Sequence, residues 1–101
     1  MYECFDIDLN DISFEWEDEK AQLNFFKHGI RFETAAKVFF DPNKLIREDE
    51  EHPIEVRYDI IGRVGKVIFV VCVFKADNVI RLISARLASK LEKERYEHGE
   101  D

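Results

Sequence analysis

Apolar and polar positions change rhythm along the chain, and each change marks an element. Residues 12–16, ISFEW, alternate apolar and polar, the period of a short strand. Residues 17–29, EDEKAQLNFFKHG, read as a helix: acids fill the first turn and Lys27 and His28 the last. Gly29 stands where a left-handed residue ends a helix. The inward stripe is expected from Ala21, Leu23 or Asn24, and Phe25 or Phe26. Residues 32–40, FETAAKVFF, predict a second helix, halted by Asp41-Pro42. Residues 44–48, KLIRE, are a candidate strand, followed by a charged loop over 48–53 closed by Pro53.

Three strand signals follow in close order. Residues 55–64, EVRYDIIGRV, alternate in character, and Gly65-Lys66 supplies a tight turn. Residues 67–74, VIFVVCVF, form an unbroken apolar run, the mark of a central strand covered on both faces. KADN at 75–78 is a second turn, and VIRLISA at 79–85 the next strand. A last helix starts near Ser89, where Ser89 and Glu92 fit the reciprocal S-x-x-E cap. Leu87, Leu91 and Tyr96 are its expected inward face. The order is a leading strand, two helices, a three- or four-stranded antiparallel meander and a C-terminal helix, which is α+β. The expected division is an acidic extension over 1–13, a single domain over 14–98 and a tail over 99–101.

Composition adds limits. With 101 residues one domain is expected, and nine Phe, three Tyr and one Trp supply its core without disulfides. Cys72 lies in the apolar run and reads as a small buried hydrophobe, while Cys4 sits in the leader. No Cys/His spacing suits zinc, and no Gly-rich phosphate loop, nucleophile elbow or HExxH motif is present. Neither a metal nor another cofactor is therefore expected. The N-terminus lacks the plan of a signal peptide and no apolar run reaches membrane length, so the expected location is cytoplasmic.

Charge is unevenly spread. The chain carries 15 Lys and Arg against 22 Asp and Glu, a net −7. Yet residues 78–96 hold Arg81, Arg86, Lys90, Lys93 and Arg95 against Glu92 and Glu94 alone, a local +3 that leaves −10 elsewhere. Such a window is either a solvated face or a polyanion site, since the potential that matters is that of the cleft. Arg57 shares strand parity with Glu55 and Asp59. Arg81 and Arg86 have opposite parity: either they face opposite ways, or Arg86 lies past the strand end. A structural reading pairs Arg81 with Glu55 or Asp59 across strands. His28 and Lys27 suit a helix C-terminus without any chemistry.

Several local patterns then coincide in order. FEW, K…N..KHGI.FE.A..VF.DP, E.RY..IG and IR.ISAR.AS..E...Y together resemble the BrnT toxin family of type II toxin–antitoxin systems, over about residues 14–97. The resemblance implies a RelE-like fold: a small antiparallel sheet packed with two N-terminal helices and a C-terminal helix. It implies a metal-independent endoribonuclease held inactive by a cognate BrnA-like antitoxin with a ribbon-helix-helix DNA-binding part, through which alone the chain would meet DNA. Cleavage by the 2′-OH needs a base, cations on the phosphorane and an acid for the leaving oxygen. Arg57, Arg81 and Arg86 suit the phosphate, with Lys90 as a further RNA contact. Lys27, His28, Glu55 and Tyr96 are candidates for proton transfer, His28 alone having an ordinary pKa near neutrality. The chain departs from many relatives at CVFKAD, where they carry a Tyr-Thr pair and an Arg. A homologue that keeps only the binding role in a DNA-binding repressor complex is the alternative.

Overall fold

The computed structural model describes residue 2, residues 9–50 and residues 54–98. The 1–13 extension lies largely outside the described residues, and Cys4, residues 51–53 of the charged stretch and the tail at 99–101 lie wholly outside them.

Strand β1, Ser13–Glu15, leads into helix α1, Asp18–His28. Asp18 and Glu19 occupy the first turn of α1 and Lys27 and His28 the last, matching the sign of the helix dipole at each end. Gly29 ends it at φ 71°, and its N–H returns to the Phe25 carbonyl at 2.8 Å. The expected inward stripe holds in part: Ala21 packs against the core and Asn24 is buried, but Phe26 is 87% exposed and Phe25 and Leu23 are also exposed. The physical reason is a peptide that needs closing. The Asn24 amide donates to the Ile30 and Ala85 carbonyls at 3.0 and 2.9 Å, and accepts the Ala85 N–H at 3.0 Å.

The expected second helix is two pieces: α2, Phe32–Ala35, and a 3₁₀ helix, Ala36–Phe40. They bury Phe32, Ala35, Ala36, Val38 and Phe39. Asp41 stops them and folds the following loop, accepting the Asn43 N–H at 2.9 Å. Four antiparallel strands follow: β2 (Leu45–Asp49), β3 (Arg57–Val64), β4 (Lys66–Lys75) and β5 (Val79–Leu87). The β4–β5 turn holds Asp77 and Asn78 at φ 61° and 59°, the two positive values of a type I′ hairpin. Helix α3, Lys90–His98, closes the described chain. Its predicted cap is formed: Ser89 N–H donates to Glu92 Oε1 at 2.7 Å, and Glu92 N–H to Ser89 Oγ at 3.2 Å.

The sheet order is β1-β5-β4-β3-β2. The wholly antiparallel sheet expected from sequence is corrected to a mixed one, because β1 pairs parallel to β5 along residues 13–15 and 79–81. The core lies on both faces. On one, Ile60, Ile68, Val70, Cys72, Ile80, Leu82 and Ala85 pack against the helices' Phe32, Val38 and Phe39. On the other, Leu45, Ile61, Val67 and Phe69 pack with Tyr2 and, towards α3, with Tyr96. Strand β4 is thus apolar from Val67 to Cys72 because both its sides are covered there. Of the expected inward face of α3 only Tyr96 is partly buried, while Leu87 and Leu91 are exposed. Gly62 is required where the 3₁₀ helix crosses β3, since a Cβ there would run into the Val38 side chain.

Candidate functional site

The parity of the two β5 arginines is resolved by a bulge. Cys72 pairs with Leu82 but Val71 pairs with Ser84, so Ile83 is one residue extra on β5. Beyond the bulge the alternation is reset. Arg81 lies opposite Val73 and Arg86 opposite Phe69, and both therefore point to the α3 side of the sheet. Arg57 precedes Tyr58, the partner of Cys72, so it too lies beside Val73 on that side. Two strand spacings, roughly 10 Å, separate Arg57 from Arg81 across β4.

Every one of these arginines is engaged. Arg81 Nε donates to Glu15 Oε2 at 3.0 Å, and Lys75 Nζ donates to the same oxygen at 2.9 Å. The expected partners Glu55 and Asp59 are thus replaced by a glutamate on the parallel neighbour β1. The Lys75 hydrogen bond, then that of Arg81, holds the Glu15 carboxyl below its usual range. Arg57 Nε donates to Glu55 Oε2 at 3.1 Å. Arg86 grips Glu92 with both terminal nitrogens, at 2.8 and 3.0 Å, and lies 4.1 Å over the Phe69 ring. Burial works against the charge of Glu92, but the Arg86 fork and the Ser89 N–H outweigh it and keep its carboxyl below the usual range.

The proton-transfer candidates are dispersed. Glu55 is bound to Arg57. Lys27 and His28 are exposed at the end of α1. They line a notch of about 160 Å³ with Lys20, Leu23, Ile83 and Ser84, against the bulge of β5. Tyr96 stands elsewhere, donating its hydroxyl to Asp41 Oδ2 at 2.6 Å, with Arg63 5.6 Å over its ring. Burial and that hydrogen bond push the Tyr96 phenol up. Lys90 is exposed at the first turn of α3.

Glu15, Lys75 and Asp41 were missed by reading the sequence for chemistry. Glu15 sits in FEW and Asp41 in DP, so the signal for both was a carboxylate inside an otherwise apolar or turn-forming motif. Asp41 joins three elements: its Oδ2 also accepts the Arg63 N–H of β3 at 2.7 Å. Among the described residues no cluster of His, Cys, Asp and Glu is arranged to hold a metal ion. Among them, too, no helix is long and apolar enough to cross a membrane.

Comparison with known proteins agrees with this architecture. The crystal structure of the Brucella abortus ribonuclease toxin BrnT superposes with a TM-score of 0.61 at 23% identity, covering 78% of this chain and 99% of that one. No curated protein sequence matches the chain. The family model for the ribonuclease toxin BrnT of type II toxin–antitoxin systems matches residues 16–92. That span runs from Trp16, just past β1, through α1, α2, the 3₁₀ helix and the whole meander to the capped start of α3, so the chain belongs to the BrnT family of ribonuclease toxins.

Proposed function

We propose that this chain is an active endoribonuclease of RelE-like type, working in the cytoplasm from a single domain over 14–98, and that it cuts RNA by 2′-OH attack without a metal. The observation that carries the reading is the β5 bulge, which turns Arg81 and Arg86 to the same face as Arg57. In this scheme a base draws the proton from the 2′-OH, and the freed oxygen attacks the adjacent phosphorus. The P–O5′ bond breaks, and an acid returns a proton to the departing oxygen, leaving a 2′,3′-cyclic phosphate. The arginine forks take the non-bridging oxygens, whose charge grows in the transition state. Lys90 extends the phosphate track. His28, Lys27, Glu55 and Tyr96 are the proton-transfer candidates. A cognate antitoxin, of BrnA-like ribbon-helix-helix type, silences the toxin and carries the complex to DNA.

The test is expression in cells without the antitoxin. The wild-type chain is expected to arrest growth, and Arg81→Ala with Arg86→Ala to abolish that arrest while circular dichroism stays unchanged. A double variant that folds and remains fully toxic refutes the assignment. Cleavage by the purified chain in excess chelator tests metal independence. A second reading is favoured by one observation: Arg57, Arg81 and Arg86 are each already paired with a glutamate of the same chain. Under it, the chain serves only as the toxin-side half of a repressor complex. Tight binding to the antitoxin with no cleavage of RNA is the outcome that selects it.

A further inference from the structure

The α3 side of the sheet is not basic throughout. At its β2 edge lies a cleft of about 400 Å³, lined by Arg47, Asp59 and Val71 together with the acids Glu48, Asp49 and Glu50. By strand parity Asp49 and Asp59 share the face of Arg47, Glu50 follows at the strand end, and Glu48, opposite Tyr58, turns its side chain to the other face. Asp59 is only 2% exposed. Its Oδ2 accepts a hydrogen bond from Arg47 Nε at 3.0 Å, but its Oδ1 is buried with no hydrogen-bond partner among the described residues. A buried carboxylate oxygen is ordinarily satisfied, so one left open at the wall of an acidic cleft marks a place for a donor.

We propose that this cleft is a binding pocket for an arginine side chain presented by a partner protein. The guanidinium would donate to Asp59 Oδ1 within the field of the neighbouring acids, and its aliphatic stem would lie on Val71. A guanidinium suits the site better than an ammonium, because it is weakly hydrated and tolerates an apolar floor. The same chain already lays an arginine on that floor's aromatic ring, Arg86 over Phe69. The carboxyl groups of Asp49, Glu50 and Asp59 disfavour the alternative occupant, an RNA phosphate. The pocket does not depend on ribonuclease activity, because binding is read directly.

The experiment is a titration of the isotope-labelled full chain with N-acetyl-arginine amide, followed by backbone amide NMR. The expected result is saturable shifts at Asp59, Val71 and Arg47, with none from N-acetyl-citrulline amide, the neutral isostere. N-acetyl-lysine amide should bind about tenfold more weakly. Asp59→Asn should weaken arginine-amide binding by about tenfold or more. Glu50→Gln changes one exposed side chain, and so reads the acidic field without risk to the fold; it should weaken binding several-fold. Equal shifts from the citrulline amide, or affinity unaffected by the Glu50 change, overturn the pocket. A short RNA oligonucleotide that shifts the same amides and displaces the arginine amide makes it a nucleic-acid site and also overturns the proposal.

Discussion

Asp41 shows how one carboxylate can tie three elements together. It ends the 3₁₀ helix, receives the Arg63 N–H from β3 and receives the Tyr96 hydroxyl from α3. Burial opposes its charge, yet the hydrogen bonds from Tyr96, Arg63 and Asn43 hold its carboxyl below the usual range. Tyr96→Phe removes a hydroxyl donated to a charged acceptor, so a loss of about 1–3 kcal/mol in unfolding free energy is expected, measured by urea denaturation. The Asp41 carboxyl should rise in an NMR titration of the same variant. If Tyr96 acts on RNA instead, activity falls while stability stands. At this scale the sequence was a partial guide. Arg57, Arg81 and Arg86 were legible because their types and their place in a recognisable pattern were in view. The carboxylate partner of Arg81 was not, because Glu15 lies 66 positions away along the chain.

Among elements, those ruled by local chemistry were readable. Gly29 announced the end of α1, Ser89 and Glu92 the start of α3, and Asp77 with Asn78 the β4–β5 hairpin. Those ruled by distant chain were not. The β5 bulge and the parallel seat of β1 arise from pairing between segments far apart in sequence, to which hydrophobic rhythm is blind. The stripe of α1 is instructive. Its phenylalanines stay out and Asn24 goes in, because β1 pairs only with residues 79–81 and leaves the Ala85 peptide open on that side. Asn24→Ala should strand that buried N–H and carbonyl and lower unfolding free energy by roughly 2–4 kcal/mol, as two unsatisfied groups would. Denaturant melts check the value, and hydrogen exchange at Ala85 should accelerate.

For the whole molecule, the charge pattern fixes the response to acid. Glu15, Asp41 and Glu92 all have carboxyls held below their usual values of 4.5, 3.8 and 4.5. A carboxyl depressed in the folded state contributes stability above its unfolded pKa, and that contribution is lost as pH falls through the folded value. Asp59 acts in the opposite sense. Burial raises its carboxyl, so its contribution is full below 3.8 and is lost as pH rises through the folded value. Three against one, the melting temperature should fall as pH drops below about 4.5, with Asp59 softening the decline. Calorimetry from neutrality to pH 3 measures this, and a flat profile would contradict it. In the same range the β1–β5 and α3–β5 ties weaken together, because Glu15 and Glu92 hold Arg81 and Arg86.

The extra residue at Ile83 also changes how relatives of this chain should be compared. Arg81 and Arg86 present the same side only because an odd separation has been made even by one unpaired position. A relative with a single deletion between its two arginines, and a straight strand, would keep both on that side as well. One that retained the spacing but lost the bulge would send them apart. Matching these arginines column by column therefore says little; what must be counted is the number of residues between them together with the register of the strand alongside.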